Sequence, residues 1–220
     1  MSTLKSDPVA ILLAAGESTR MGQDKLLAML GKKRVIEHAL SGYRKATRVK
    51  DVILVVGPGR TEMFEPLRSP TVHLVENPDP SGGMISSIRA GLGSTWAAQR
   101  NFMIAPADTP FVPPEIIDQI VTTFVTRDCK IVVPSYQGLG GHPGLYAQEL
   151  SSDFKLRGDT NGAREILIRH QKDTVRLNVH EPDICFDIDT PEDLEMALDA
   201  GARWAKVEAL VEEKKKPRLR

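Results

Sequence analysis

Short aliphatic runs recur along this chain with room for one amphipathic helix between each pair, and that alternation limits the fold more than any other feature. Val9 to Leu13, Asp51 to Val56 (DVILVV), Val72 to Val75, Phe102 to Ala105 and Lys130 to Val133 read as strands, apolar almost throughout and so suited to a sheet covered on both faces. Helical spacing lies between them. It is carried by Val35, Ile36, Ala39, Leu40 and Tyr43, then by Ile85, Ile88, Leu92 and Trp96 within Met84 to Trp96, and then by Ile116, Ile117, Ile120, Val121 and Phe124. Residues 60–68 suit a short helix. The pattern predicts an α/β fold with three layers and a mainly parallel, twisted, Rossmann-like sheet.

From Pro134 to Asp159 the alternation breaks, and SYQGLGGHPGLY predicts a hairpin or an active-site loop. A helix over 161–170 and a strand over 174–177 follow. A last helix is expected from Thr190 as N-cap, with Pro191 at its first position, Asp193 three residues on, and Leu194, Ala197 and Leu198 as its buried face. Trp204, Val207 and Val211 continue a helical face that packs on the domain or on a partner. With no repeat and no low-complexity linker, the expected organisation is one domain over 1–201 and a C-terminal extension over 202–220.

Charge removes several functions. The 29 Lys and Arg balance 29 Asp and Glu, so no polyanion-binding surface and no nucleic-acid partner are expected. The closing KKKPRLR, with Lys214, Lys215, Lys216, Arg218 and Arg220, reads as a solvated basic tail. No apolar run approaches the roughly 18 to 20 residues of a membrane helix, and MSTLKSDPVAILLAAG reads as neither a secretory signal nor an anchor. Cys129 and Cys185 make no disulfide framework, so a reducing cytoplasm is the expected compartment.

Three segments carry candidate chemistry. LLAAGESTRMGQDKLL, residues 12–27, joins the first strand to the first helix, where an open α/β sheet places its ligands. Small residues at Ala14, Ala15, Gly16 and Gly22 allow backbone N–H groups to approach a ligand, and Arg20 and Lys25 add positive charge, a composition that cradles phosphates. It matches neither a Walker A loop nor the dinucleotide fingerprint. MIAPADTP, residues 103–110, ends a strand in Asp108 between two prolines, a carboxylate aimed to bind Mg²⁺ beside phosphate oxygens; a turn-forming role is the alternative. In CFDIDTPEDL, residues 185–194, Asp187 and Asp189 share a face if extended, and so suit either a paired-carboxylate metal site or the dipole of the following helix.

Taken in order, LxAGxSxRMGxxK, PADxP and DxDTPEDL resemble the MobA-like nucleotidyltransferases from about Val9 to Ala200, in a pattern similar to the molybdenum-cofactor cytidylyltransferase branch. NPDPSGGMISSIRAGL, residues 77–92, and GGHPGLY, residues 140–146, add to the resemblance. It implies a GT-A-like nucleotidyltransferase fold and Mg²⁺-dependent transfer of CMP from CTP to a phosphate monoester, molybdopterin, with pyrophosphate leaving. It also implies site roles. Leu13, Ala14, Ala15, Gly16, Gly82, Gly83 and Ser87 would contact the nucleotide; Arg20 and Lys25 would meet its phosphates and, with Asp108, carry catalysis; Asp108 and Asp189 would hold the metal. His142 and Arg164 would contact the acceptor, in a pocket shared with Arg157, Asp159, Thr160 and Asn161. Ala15 favours CTP, because the guanylyl branch usually carries glycine there.

Thr109 departs from the family's PADMP and leaves the acceptor open. Guanylyl transfer and a sugar- or polyol-phosphate acceptor are the alternatives, as is a nucleotide-binding chaperone that delivers a modified cofactor to a target molybdoenzyme. Monomer and dimer stay open. His38, His73, His170 and His180 show no zinc spacing.

Overall fold

The computed structural model describes residues 7–16, 24–156 and 163–215. Arg20, Gly22, Arg157, Asp159, Thr160, Asn161, Lys216, Arg218 and Arg220 lie outside them.

β1 (Val9–Ala14) is followed by a small antiparallel pair, β2 (Met29–Leu30) with β3 (Lys33–Arg34), and by α1 (Val35–Lys45). Then come β4 (Asp51–Val56), α2 (Thr61–Phe64), β5 (Val72–Glu76), α3 (Met84–Gly93), β6 (Phe102–Pro106) and α4 (Pro114–Thr126). The second half holds β7 (Ile131–Tyr136), β8 (Leu139–Gly140), β9 (Gly144–Tyr146), α5 (Ser151–Lys155), α6 (Ala163–Arg169), β10 (Thr174–Asn178), α7 (Pro191–Met196) and α8 (Ala200–Lys215).

The strands form one sheet in the order β10-β7-β9-β6-β1-β4-β5, with β8 paired to β7. β1 pairs in parallel with β4 on one side and β6 on the other, while β9 is an antiparallel insertion between β6 and β7. The chain builds outward from β1 through β4 to β5, and in the opposite direction from β6. The switch point therefore falls between β1 and β6, where the carboxyl ends of the two strands open a crevice.

Alternation along each strand divides the core in two. Leu12, Leu54, Met103 and Val132 face Ile36, Leu40, Ile120, Phe124 and Val207, whereas Ile11, Ile53, Ile104 and Val133 face Ile85, Ile88, Phe154 and Ile166. These two layers of helices on one sheet are the predicted three-layer architecture. Each fully buried aliphatic or aromatic side chain contributes about 1.5–3 kcal/mol.

Several local expectations need correction. The helix expected to reach Trp96 ends at Gly93, where Ser94 leaves helical geometry; Trp96 is 37% exposed and stacks on His73 with ring centroids 4.4 Å apart. Leu198 is 58% exposed, because α7 stops at Met196 and the chain turns into α8 before its next helical position faces inward. Trp204 is 44% exposed, whereas Val207 and Val211, with Arg203, form the buried face of α8. Lys214 and Lys215 belong to α8 and not to a tail.

Candidate active site

β1 delivers Ala14 and Ala15, both buried, to the crevice, and Gly16 follows with open space around it. The chain returns at Asp24, whose Oδ1 accepts from the Leu26 N–H (3.1 Å) and whose carbonyl accepts from Leu27 and Ala28, a turn that presents Lys25. Arg60, just before α2, reaches both described ends of this loop: it donates to the Asp24 carboxylate and, through Nη1, to the Gly16 carbonyl (3.4 Å). Sequence reading missed Arg60, which carries no motif and lies 36 residues from Asp24.

On the other side of the crevice the Ala107 N–H donates to the Leu13 carbonyl (3.0 Å), extending the β1/β6 pairing by one step before Asp108 turns away. The Thr109 hydroxyl donates to the Pro106 carbonyl (2.9 Å) and closes the turn that aims Asp108. Thr109 is thus a buried structural residue.

Asp189 arrives from the C-terminal segment because the Ile188 N–H donates to the Asp108 carbonyl (3.0 Å). Its position is fixed behind by the capping box of α7. Asp193 Oδ2 accepts from the backbone N–H of Asp189 and of Thr190 (3.0 Å each), and the Thr190 hydroxyl accepts from the Asp193 N–H (3.2 Å). Lys206 of α8 seals the arrangement with Asp193 Oδ1 at 2.8 Å and the Asp187 carbonyl at 3.3 Å.

The two carboxylates converge on one ammonium. Lys25 Nζ lies 2.6 Å from Asp108 Oδ2 and 2.8 Å from Asp189 Oδ1. Burial works against the Lys25 charge, but Asp108 and Asp189 outweigh it and hold its pKa above the ordinary value. Asp108 goes the other way: burial pushes its carboxyl up, and Lys25 only partly offsets that. Asp187 is also raised, by burial first and then by Asp189. Asp108 Oδ1 is buried and has no hydrogen-bond partner among the described residues.

An orphaned carboxylate oxygen beside a converging pair of hard donors fits a small divalent cation, which takes one or two carboxylates and fills its shell with water and phosphate oxygens. Among the described residues no group of three or more His, Cys, Asp or Glu is arranged to hold a metal, so the site offers no closed protein cage.

The other expected residues divide between this crevice and its neighbours. Gly82 and Gly83 lead into α3, with Gly83 at φ 72°, a left-handed conformation that glycine adopts freely. Ser87, by contrast, is buried, and its hydroxyl accepts from Asn77 Nδ2 (3.0 Å). Asn77, missed from sequence, also donates to the Ser86 hydroxyl (2.9 Å) and so anchors α3 to the end of β5. His142 and Arg164 line one cavity of about 750 Å³. The His142 N–H donates to the Ile184 carbonyl (2.9 Å), and the preceding Gly141 is pressed so closely on Ile184 that a Cβ would stand 2.7 Å from it. Burial pushes the His142 imidazole down to about 4, so it is neutral near pH 7.

Residues 10–175 match the model of the MobA-like NTP transferase domain. The chain belongs to the MobA-like NTP transferase family. As a member it is a nucleotidyltransferase. A relative from Rhizobium leguminosarum bv. trifolii (strain WSM2304), named molybdenum cofactor guanylyltransferase, is 26% identical over 210 residues, covering 91% of this chain and 94% of its own. The crystal structure of a homolog of Mycobacterium tuberculosis Rv0371c from Mycobacterium sp. strain JC1 is 25% identical with a TM-score of 0.74, covering 94% of this chain and all of its own (100%). Rv0371c itself, solved in complex with manganese, shares the fold at 23% identity and a TM-score of 0.69, covering 89% of this chain and 100% of its own. The name of the Rhizobium relative points to a guanine nucleotide and not to the CTP expected from Ala15. No helix among the described residues is long and apolar enough to cross a membrane.

Proposed function

We propose that this chain transfers GMP from GTP to the phosphate monoester of molybdopterin and releases pyrophosphate. The observation that carries it is the convergence of Asp108, Asp189 and Lys25 at the switch point, an arrangement suited to a cation and phosphates side by side. The Rhizobium relative, with near full-length coverage of both chains, supports the choice of donor and acceptor.

Asp108 and Asp189 would hold a divalent metal, for which Mg²⁺ and Mn²⁺ are the candidates; when bound, the metal neutralises charge on phosphate oxygens. Lys25 would leave the carboxylates and stabilise negative charge on the α-phosphate and the leaving pyrophosphate, as would Arg20. The backbone at Leu13, Ala14, Ala15 and Gly16, with Gly82 and Gly83, would border the nucleoside. His142, neutral at working pH, would offer a hydrogen bond to the acceptor without adding charge. The acceptor phosphate is itself the nucleophile, so the chain's task is in-line positioning and charge stabilisation.

One observation favours a second donor. The Ala15 methyl occupies the position where guanylyl enzymes usually have glycine, which is the case for CTP. Incubating the protein with molybdopterin, Mg²⁺ or Mn²⁺ and each nucleoside triphosphate in turn decides between them by pyrophosphate release. Turnover with GTP is expected; turnover with CTP alone would reverse the donor, and none with any triphosphate would overturn the reading.

A further inference from the structure

α8 begins well beyond residue 175, where the match to the family domain ends, yet one of its side chains reaches the segment that carries Asp189. Lys206 Nζ lies 2.8 Å from Asp193 Oδ1, 3.3 Å from the Asp187 carbonyl and 3.8 Å from Asp187 Oδ1. Asp187 and Asp193 flank Asp189 in the chain, so a single ammonium spans the stretch on which that carboxylate is presented. The buried Phe186 ring lies next to it, its centroid 5.2 Å from Nζ.

The Asp189 side chain is 42% exposed, so packing does not fix it and its direction depends on its backbone. That backbone is held on two sides. The Ile188 N–H donates to the Asp108 carbonyl in front, and the Asp189 N–H donates to Asp193 Oδ2 behind. Asp193 is itself buried, with Oδ2 occupied by the Asp189 and Thr190 N–H groups and Oδ1 by Lys206. Without the ammonium it would be a buried charge short of a partner, drawn toward water and away from the two N–H groups it holds.

α8 does not need Lys206 to stay in place. Val207 and Val211 are buried, and Arg203 is bonded twice to Asp183. Glu208 accepts from the Tyr136 hydroxyl and from Gln137 Nε2 (3.0 Å), and Lys214 donates to the Gly138 carbonyl. With the helix anchored along its length by other residues, what Lys206 adds is local to the segment from Asp187 to Asp193.

We propose that Lys206 is a positioning residue for the divalent metal: by tying Asp187 to Asp193 it fixes the backbone that presents Asp189, and it makes the C-terminal helix part of the metal centre. The inference rests on the transferase reading above, in which Asp108 and Asp189 hold the metal. A purely electrostatic role for Lys206 would have the opposite sign. A cation behind the carboxylates repels a metal ion, so its charge alone would weaken binding and its removal would strengthen it.

Mn²⁺ binding to the full chain separates the two signs, read by electron paramagnetic resonance of the free ion without nucleotide and again with GTP. Lys206→Met should weaken binding about tenfold, the scale of loss when a group that supports a metal ligand is removed. Amide hydrogen exchange at Asp189 and Thr190 should quicken about tenfold in the same variant. Lys206→Arg should recover part of both, since a guanidinium can still donate to Asp193. Glu208→Ala removes another anchor of α8 that has no bond to this segment, and it should leave both readings within about twofold of wild type.

Unchanged or tighter Mn²⁺ binding in Lys206→Met overturns the proposal, and with GTP turnover intact in wild type it leaves the transferase reading in place. An equal loss in Glu208→Ala also overturns it, because helix docking alone would then be at work. Should the urea transition show that Lys206→Met does not fold, Lys206→Gln carries the same prediction and the same overturning results. Weakened binding in a protein that turns over no triphosphate would sink the transferase reading and leave the placement of Asp189 by Lys206 standing; no Mn²⁺ bound by wild type, with or without GTP, would sink both.

Discussion

Two ion pairs lie within one segment of the C-terminal region and differ in completeness. Asp183 and Arg203 are each only 9% exposed, and they meet through two hydrogen bonds, Nε to Oδ1 at 3.0 Å and Nη2 to Oδ2 at 2.7 Å. Arg203 also donates to the Ala197 carbonyl (2.6 Å) and lies over the Phe111 ring at 4.1 Å. Six residues further along the chain, Asp189 shares one ammonium with Asp108, and Asp108 keeps a buried oxygen without a partner. The first pair is saturated and can only hold α8 to the domain. The second is under-satisfied on the carboxylate side, which is the condition of a site waiting for a cation.

The largest expected effect separates the two pairs outright. Asp108→Asn should lower turnover by about 10³-fold or more through the lost metal ligand, while the melting temperature holds or rises, because a desolvated charge has been removed. If turnover persists, the metal is held elsewhere. Arg203→Met should do the reverse. It leaves Asp183 buried and uncompensated, at a cost of about 3–5 kcal/mol, read from the urea midpoint. A loss below about 1 kcal/mol would show that this pair, too, is solvated.

Lys25→Met sharpens the contrast within the active site. It should reduce turnover about 10²-fold by removing phosphate stabilisation, yet tighten Mn²⁺ binding in the absence of nucleotide, because an ammonium no longer stands between the two carboxylates. Electron paramagnetic resonance of free Mn²⁺ reads that change, and weaker binding would place the metal away from Asp108 and Asp189.

The smallest effect concerns His142. Its imidazole is pushed down from 6.5 to about 4 by burial, so between those values the unfolded chain binds more protons than the folded one. Stability from this group is therefore full above pH 6.5 and declines as pH falls toward 4. His142→Gln should flatten that part of the stability profile in denaturant melts at stepped pH; an unchanged slope would mean the ring is solvated.

Much of the fold was legible because its signals are local. β1, β4, β5 and β6 follow from short aliphatic runs, and α4 from five apolar positions at helical spacing. The Thr190 cap needed only its own side chain and the next three residues. Asp108 and Lys25 were legible for a related reason: each lies in the connection just after a strand, and parallel sheets put those connections on one edge. What failed also failed locally. Periodicity carried the α3 pattern on to Trp96 and the α7 pattern on to Leu198, since a repeat of apolar residues does not mark where the helix ends. Other residues took their place only in the fold. Arg60 and Lys206 are ordinary residues in the sequence, and each acquires its place from a contact with a distant segment; Asn77 opens the segment 77–92 and Lys214 belongs to the basic run, but nothing in either marks the contact it makes.

The sequence by itself determined the layers and the types of residue that follow the strands, because strand and helix periods and strand-end carboxylates act over a few residues. Only the tertiary structure decided which charges face one another: that Lys25 bridges Asp108 and Asp189, that Arg203 is consumed by Asp183, and that α8 brings Lys206 to Asp193, behind Asp189. Charge pairing depends on separations of a few ångströms between segments up to 164 residues apart, and the packing of helices on a sheet sets those separations.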